Sequence, residues 1–357
     1  VFSEGRTCGK SGGNSEQRVS VTVRLCSQRW VCYASFVAQP SVSHISENAT
    51  LLSRRLVQNV ALVVRGKEEV IKLAVVSLLA RGHLLLEDVP GVGKTTLARA
   101  LAASIGVSFR RLQCTSDLMP TDVLGGNVFN QSKSEFEFRP GPIFTQVLLA
   151  DEVNRTTPKT QSALLEAMDE RQVSIDGETH ELDEPFFVVA TQNPQEFYGT
   201  YPLPESQLDR FLVRLSIGYP PPGVEREVLN RRGADPVQKL EPAMSAAELR
   251  HVQQAVDSVR VDDAILEYLH RIVLATRNTP LLSVGVSTRG ALGFERATRA
   301  RALVEGRSYV LPDDVKALAE PVLAHRVKVS GSMSGSAVRD DAQRVIRELL
   351  TVVAVPL

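Results

Sequence analysis

A glycine-rich segment that ends in Lys94 and Thr95 has the residue types needed to hold a phosphate group. It reads Asp-Val-Pro-Gly-Val-Gly-Lys-Thr over residues 88–95 and directly follows the apolar run 83–87. Its glycines let successive backbone N–H groups point at phosphate oxygens, and a helix start adds a favourable dipole. Lys94 would then bind the β- and γ-phosphates, and the Thr95 hydroxyl would hold Mg²⁺. The residues expected to contact ATP are Pro90, Gly91, Val92, Gly93, Lys94, Thr95 and Thr96.

Two other apolar runs end in polar residues that suit phosphate chemistry. Residues 146–150 lead into Asp151 and Glu152, and residues 187–191 lead into Gln-Asn-Pro with Asn193 at its centre. Asp151 is predicted to bind Mg²⁺, and Glu152 to orient and deprotonate the attacking water. Asn193 is predicted to hydrogen-bond that water or the γ-phosphate. About fifty residues after a phosphate loop, this pattern indicates ATP hydrolysis, although each motif alone would suit an ordinary strand end or turn.

These residues need a parallel sheet to bring them together. Short apolar runs alternate with helical patterns, which predicts an α/β P-loop NTPase fold with a parallel sheet flanked by helices. The Tyr-Pro-Pro-Pro-Gly segment at 219–223 marks a linker, and the sequence after it predicts a smaller C-terminal α-helical lid. We therefore expect an α/β core at 46–222 and a helical domain at 223–357. The predicted strands cover 83–87, 108–113, 146–151, 186–191 and 213–217.

The first 45 residues differ from the rest of the chain. They are rich in Ser, Gly and Arg and show no sustained helical period, and the chain begins with Val. The segment also lacks the contiguous apolar stretch of a signal peptide. We expect residues 1–45 to be a disordered or non-native N-terminal extension.

Composition narrows the class of protein. The 41 basic and 41 acidic residues cancel, so no overall field favours nucleic acid as a partner. No apolar stretch reaches the roughly 20 residues that span a bilayer, so membrane insertion is not expected. The 4 cysteines show no metal-ligand spacing, and a reducing compartment suits them. The predicted location is the cytoplasm.

Several longer motifs together resemble the MoxR family of AAA+ ATPases, from about residue 50 to the C-terminus. Asp88, which departs from the glycine of the general phosphate-loop pattern, is usual in that family. The motifs that carry the resemblance are EDVPGVGKT at 87–95, FRPGPIF at 138–144, ADEVNR at 150–155, PKTQSALLEAM at 158–168 and YPLPESQLDRF at 201–211.

The resemblance implies roles that spacing alone does not. Arg210 matches the arginine finger that reaches the nucleotide of a neighbouring subunit, and Arg289 matches the sensor 2 arginine, which contacts the γ-phosphate from the lid. Without the family match, Arg210 would be interpreted as a helix-end residue paired with Asp209. Two hairpins, at 127–140 and 172–182, match inserts that lie near the ring axis, where they would contact a protein client or remain simple surface hairpins.

The resemblance implies Mg²⁺-dependent ATP hydrolysis in a homo-oligomeric ring, with a hexamer expected. Such a ring would act as a chaperone-like remodeler of partner proteins, and a protein with a von Willebrand factor type A domain is one expected partner. A magnesium-chelatase-like motor subunit and a nucleotide-dependent scaffold with little turnover are alternatives. A helicase is disfavoured by the balanced charge, and a small-molecule kinase would not need Glu152, Asn193 and an arginine-bearing lid together.

Overall fold

The computed structural model describes residues 22–26, 29–33, 42–193, 199–230, 235–331 and 336–356. The chain forms two units, residues 1–44 and residues 45–357. In the first unit, β1 (Thr22–Cys26) and β2 (Arg29–Tyr33) pair as an antiparallel hairpin. The expectation of a disordered or non-native extension over 1–45 stays a prediction, and most of that segment lies outside the described residues.

The centre of the second unit is a five-stranded parallel sheet with the order β11-β3-β10-β7-β4. The sequence predicted all five strands, and the structure confirms the parallel α/β class. They are β3 (Leu84–Glu87), β4 (Phe109–Gln113), β7 (Val147–Asp151), β10 (Phe187–Gln192) and β11 (Val213–Leu215).

Alternate side chains of these strands pack on opposite faces of the sheet, as the two-residue period of a strand requires. Leu84 and Leu86 belong to one apolar cluster, which includes α1, α2, α3 and the lid helices, whereas Leu85 belongs to the other. Burial on both faces explains why the central strands consist almost entirely of apolar residues. The helices of the core are α1 (Val42–Ala61), α2 (Glu68–Leu79), α3 (Lys94–Ile105), α4 (Pro120–Leu124), α5 (Pro158–Glu170) and α6 (Glu205–Leu208).

Two antiparallel hairpins extend from the core, as predicted. The second turns at Asp176 and Gly177, whose positive φ angles of 51° and 87° suit a tight two-residue turn. The hairpins consist of β5 (Gly125–Asn130) with β6 (Glu135–Pro140), and β8 (Gln172–Ile175) with β9 (Glu178–Glu181).

The remainder of the chain is largely helical, as the sequence predicted, but it also contains a small strand pair that the sequence analysis missed. Each of these strands has only two or three residues, too few for a recognisable alternation. None of the described helices is both long and apolar enough to cross a membrane. The elements are α7 (Pro222–Asn230), α8 (Ala246–Asp257), α9 (Asp263–Asn278), β12 (Leu282–Val284), α10 (Thr288–Val304), α11 (Pro312–Leu323), β13 (Lys328–Val329) and α12 (Ser336–Val352).

Candidate nucleotide site

The phosphate loop connects β3 to α3, as the sequence predicted. Gly91 and Gly93 have φ angles of 86° and 97°, a region that favours glycine, and an added Cβ would meet no atom within 4 Å at either position. At these two positions the loop backbone therefore faces open space. Lys94 starts α3 and is buried, and its Nζ donates to the carbonyl oxygen of Asp88 at 2.7 Å and of Gln192 at 3.5 Å. The lysine thus links the loop to the end of β10.

Asp88 fastens the phosphate loop to the segment that follows β11. One carboxylate oxygen accepts hydrogen bonds from the Ser216 hydroxyl at 2.9 Å and the Gly218 N–H at 2.6 Å. The other accepts from the Val89 N–H at 2.9 Å. Burial alone would raise the pKa of Asp88, but these hydrogen bonds outweigh it and lower the pKa below its ordinary value. A carboxylate here is therefore part of the loop's support, a role that the sequence analysis did not identify.

Asp151 ends β7 with its side chain largely buried and both oxygens engaged. Oδ1 accepts from the Thr191 hydroxyl at 2.6 Å, and Oδ2 forms an ion pair with Nη2 of Arg111 at 2.6 Å. Thr191 lies on β10 and Arg111 on β4, the two strands that flank β7. The neighbouring strands therefore fix the predicted metal ligand, and the guanidinium places a positive charge beside it.

Glu152 follows in a left-handed conformation, with φ 60° and ψ 49°. Its N–H donates to the Thr191 hydroxyl at 2.8 Å, so one threonine holds both acidic residues. The Glu152 carboxylate contacts Gln113 Nε2 at 3.2 Å and Arg155 Nε at 3.1 Å. These partners come from the end of β4 and from a 3₁₀ turn after β7 (Val153–Arg155). The predicted base is thus held at the carboxyl end of the sheet.

Asn193 comes directly after β10 and is buried. Because β10 lies between β3 and β7, its carboxyl end separates the phosphate loop from Asp151. The N–H of Asp88 donates to the Gln192 carbonyl at 3.2 Å, which places the Asn193 backbone next to the loop. The structure therefore brings Lys94, Asp151 and Asn193 to one edge of the sheet.

Arg210 and Arg289 lie at the opposite edge. Both contact Oδ2 of Asp169 near the end of α5, at 2.7 Å and 2.9 Å. The segment after Arg210 is placed by His83, whose carbonyl accepts from the Leu212 N–H at 2.9 Å just before β3 begins. At about 3.3 Å per residue, the four residues of β3 separate the two edges by roughly 13 Å.

The alternative that Arg210 pairs with Asp209 does not describe this structure. Arg210 instead bonds the Leu165 carbonyl at 2.6 Å and pairs with Asp169 on α5. Asp209 pairs with Arg326 of the lid at 2.8 Å. The local sequence indicated neither the pairing of Arg210 with α5 nor the pairing of Asp209 with the lid, because each partner lies far away along the chain.

The two hairpins contact each other beside this core. Phe138 stacks on His180 with ring centroids 4.0 Å apart, and Asn127 donates to Asp176 at 2.8 Å. At the free end of the first hairpin, Phe129 and Phe136 meet edge to face at 5.3 Å, and Phe136 is 70% exposed. The hairpins therefore form one surface feature with an aromatic end.

Family comparisons agree with this arrangement. Residues 83–213 match the family described as "ATPase family associated with various cellular activities (AAA)", and residues 274–349 match the family described as "AAA lid domain". A crystal structure of a candidate ATPase from Cytophaga hutchinsonii superimposes with a TM-score of 0.79 at 33% sequence identity. That similarity covers 89% of this chain and 98% of the other.

Two relatives extend the similarity over most of the chain. The uncharacterized protein YeaC of Bacillus subtilis is 48% identical over 304 residues, which cover 85% of this chain and 94% of YeaC. The chaperone MoxR1 of Mycobacterium tuberculosis is 40% identical over 311 residues, which cover 85% of this chain and 82% of MoxR1. On this evidence, and with the AAA core and lid both present, the chain belongs to the MoxR family of AAA+ ATPases.

Proposed function

We propose that this chain is a Mg²⁺-dependent ATPase whose catalytic site is completed by a neighbouring subunit. The observation that carries the proposal is the division of the site residues between two edges of one sheet. Lys94, Asp151 and Glu152 lie at the carboxyl edge, whereas Arg210 and Arg289 lie at the other. Head-to-tail contact between identical chains joins unlike surfaces, which would bring the two groups together, and it forms a ring where the rotation between subunits closes.

Within one subunit, the phosphate loop would bind the triphosphate. Its backbone N–H groups and the start of α3 favour negative charge, and Lys94 adds a full positive charge. The oxygen donors of Thr95 and Asp151 fit Mg²⁺, which proteins usually hold through one or two carboxylates and the substrate phosphates. Arg111 pairs with Asp151 Oδ2 in this structure, so the ion would displace that guanidinium or bind the carboxylate through a water. When bound, the ion would neutralise charge on the phosphate oxygens.

Glu152 would take the proton of the attacking water, and Asn193 would orient that water. A carboxylate at the end of a central strand is held more precisely than one on a free loop, because the strand and Thr191 fix its backbone. Gln113 and Arg155 restrict its side chain further. Glu152 and Asn193 directly follow two neighbouring strands, β7 and β10.

The two arginines would stabilise negative charge on the phosphoryl group of the next subunit's ATP. Asp169 pairs with both, which holds two guanidinium groups side by side at the sheet edge. Arg289 remains 57% exposed and Arg210 29% exposed, so both can reach a partner surface. Fixed positive groups of this kind act where charge develops during phosphoryl transfer.

The ring is proposed to be a hexamer that remodels partner proteins in a chaperone-like way. A relative named a chaperone supports this proposal, and the exposed pair Phe129 and Phe136 offers an apolar contact for a client. A client with a von Willebrand factor type A domain and a location in the cytoplasm stay predictions.

Steady-state ATP turnover measured against protein concentration, together with mass from light scattering, tests the proposal. Turnover per subunit should rise as the ring assembles and should need Mg²⁺. Lys94→Ala is the control, because it removes the phosphate-binding charge and should remove turnover at every concentration. Full turnover by a monomer would contradict a shared site, and assembled rings without turnover would favour the scaffold alternative.

A further inference from the structure

One buried residue of the lid, Arg326, holds the segment that carries Arg210. Its side chain is 3% exposed. Nε donates to Asp209 Oδ1 at 2.8 Å, and Nη2 donates to the carbonyls of Phe211 at 2.6 Å and Asp209 at 3.2 Å. Nη1 donates to the Leu212 carbonyl at 3.0 Å and also contacts the Val322 carbonyl. The acceptors therefore flank Arg210 on both sides in sequence.

The same carboxylate reaches the helix that carries Arg289. The second oxygen of Asp209 accepts from the Ser287 hydroxyl at 2.8 Å. Ser287 is the N-cap of α10, since its hydroxyl also accepts from the Gly290 N–H at 2.9 Å. Arg289 lies between these two residues. Asp209 thus joins Arg326 to the first turn of α10.

We propose that Arg326 is a positioning residue that sets the placement of Arg210 and Arg289 through Asp209. This inference rests on the proposed function, in which both arginines act on the neighbouring nucleotide. A planar guanidinium with five donors can hold several acceptors at fixed angles, which a lysine ammonium cannot do. Small displacements of a catalytic group can cost about a hundredfold in rate, so such a support would matter to turnover.

The arrangement also connects the lid to the partner site. Arg326 follows α11 in the lid, whereas Asp209, Phe211 and Leu212 belong to the core. Any movement of the lid relative to the core would therefore act on the segment of Arg210. Within the lid, the neighbouring His325 also contacts this segment, with its Nε2 2.9 Å from the Phe211 carbonyl oxygen. The ion pair between Arg301 of α10 and Glu69 of α2, at 2.6 Å, is a lid–core contact that does not involve the segment.

Two variants test the inference at the level of kinetics. Arg326→Lys keeps the charge but loses the multiple contacts, and Asp209→Asn removes the carboxylate that joins the two lid elements. Each should lower kcat by about tenfold to a hundredfold. The Kd for nucleotide in each variant should stay at the wild-type value, because the phosphate loop is not involved. Glu69→Gln is the matched control, which breaks a different lid–core ion pair and should leave kcat unchanged.

Mixed rings separate positioning from general damage. Arg326→Lys subunits keep an intact phosphate loop, so mixing them with Glu152→Gln subunits, whose arginines are intact, should restore part of the turnover. Arg210→Ala mixed with Glu152→Gln is the reference and should recover in the same way. Recovery of the reference without recovery of Arg326→Lys overturns this inference alone. Wild-type kcat in both variants, or weakened nucleotide binding by both, also overturns it.

Failure of the reference mixture, with mixed rings present by mass, has a different meaning. It would overturn the proposed action of Arg210 between subunits, and the inference about Arg326 would fall with it. The two failures are therefore distinguishable in one set of experiments.

Discussion

At the scale of single residues, Glu152 combines an unusual backbone with a fixed side chain. Residues other than glycine seldom adopt its φ of 60°, and such conformations cost on the order of 1 kcal/mol or more. The hydrogen bond from its N–H to Thr191 offsets part of that cost. Strained conformations of this kind are concentrated at functional sites.

Replacing the carboxylate of Glu152 tests its proposed role as the base. Glu152→Gln keeps the shape of the side chain but cannot accept the proton, so we expect kcat to fall by about 10²- to 10⁴-fold while ATP binding persists. Single-turnover hydrolysis and a nucleotide-binding titration measure the two effects. The exposed Glu178→Gln variant is the control. Unchanged turnover in Glu152→Gln would place the base elsewhere.

His83 is a second residue whose environment has a measurable consequence. Its Nε2 donates to the Met168 carbonyl at 3.1 Å, and its Nδ1 accepts from the Val188 N–H at 3.0 Å, so the neutral ring satisfies both partners. Burial lowers the pKa of His83 from 6.5 to about 4. Burial also lowers the pKa of His325 well below 6.5. Both rings are therefore neutral in the folded protein at neutral pH.

The pKa of His83 predicts acid sensitivity of the fold. His83 binds a proton below pH 6.5 in the unfolded state but only near pH 4 in the folded state. The contribution of the neutral His83 ring to the free energy of unfolding is therefore complete above pH 6.5 and declines as the pH falls to 4. The loss assigned to His83 is about 3 kcal/mol. Denaturant unfolding at pH values between 7 and 4 measures the total loss, to which His325 also contributes, and comparison with a His83 variant isolates the share of His83.

His83→Gln should reduce the pH dependence of the free energy of unfolding, although the variant is less stable at neutral pH. The exposed His270→Gln variant is the control and should follow the wild-type curve. Parallel curves for the wild type and His83→Gln would show that His83 does not account for the acid sensitivity.

At the scale of elements, the junction between β3 and α3 depends on a tie to the end of β11. Asp88 accepts two hydrogen bonds from residues 216–218 and one from its own loop. Gly218 has a φ of 65°, which turns the chain towards the predicted linker at 219–223. The phosphate loop is thus anchored to the start of the connection between core and lid.

Removing the charge of Asp88 should loosen this junction. In Asp88→Asn one acceptor oxygen becomes an amide donor, so the hydrogen bond from the Val89 N–H or that from the Gly218 N–H is lost. We expect a loss of about 1–3 kcal/mol in the free energy of unfolding, together with weaker nucleotide binding. Denaturant unfolding and a binding titration measure both. The exposed Asp183→Asn variant should change neither, and wild-type values for Asp88→Asn would contradict the role as a tie.

At the scale of the whole molecule, the position of Arg289 distinguishes two types of site. A sensor acting within its own subunit would need to lie near Lys94. In the structure it shares Asp169 with Arg210, at the edge of the sheet opposite the phosphate loop. The observed arrangement of core and lid therefore favours the interpretation that Arg289 acts on the nucleotide of the neighbouring subunit.

Mixing Arg289→Ala with Glu152→Gln subunits tests that interpretation. If Arg289 acts between subunits, the intact phosphate loop of Arg289→Ala receives the arginine of its neighbour, and we expect turnover to recover by at least several-fold over either variant alone. If it acts within its own subunit, neither type of site is complete and no turnover should return. Steady-state ATPase assays at a fixed total concentration, with the mixing ratio varied, measure the difference.

The sequence was sufficient to predict the parallel sheet, the phosphate loop and the acidic end of β7, because each depends on residues that are close together along the chain. Apolar runs set the strands, and Gly91, Gly93, Lys94 and Thr95 are contiguous. Two hairpins were also predictable, one from its Asp-Gly turn. The resemblance to the MoxR family added Arg210 and Arg289, with roles that local sequence patterns do not encode.

Only the tertiary structure decided which residues meet across the chain. Thr191 donates a hydrogen bond to Asp151, and Asp169 pairs with both Arg210 and Arg289. Arg326 binds the segment that begins at Asp209. Each of these contacts joins residues at least 40 positions apart, and nothing in the spacing of one partner specifies the other. These contacts arise because several elements pack against one sheet, which brings side chains that are distant in sequence to a common edge. A buried charge there is stabilised only when it is paired or hydrogen-bonded.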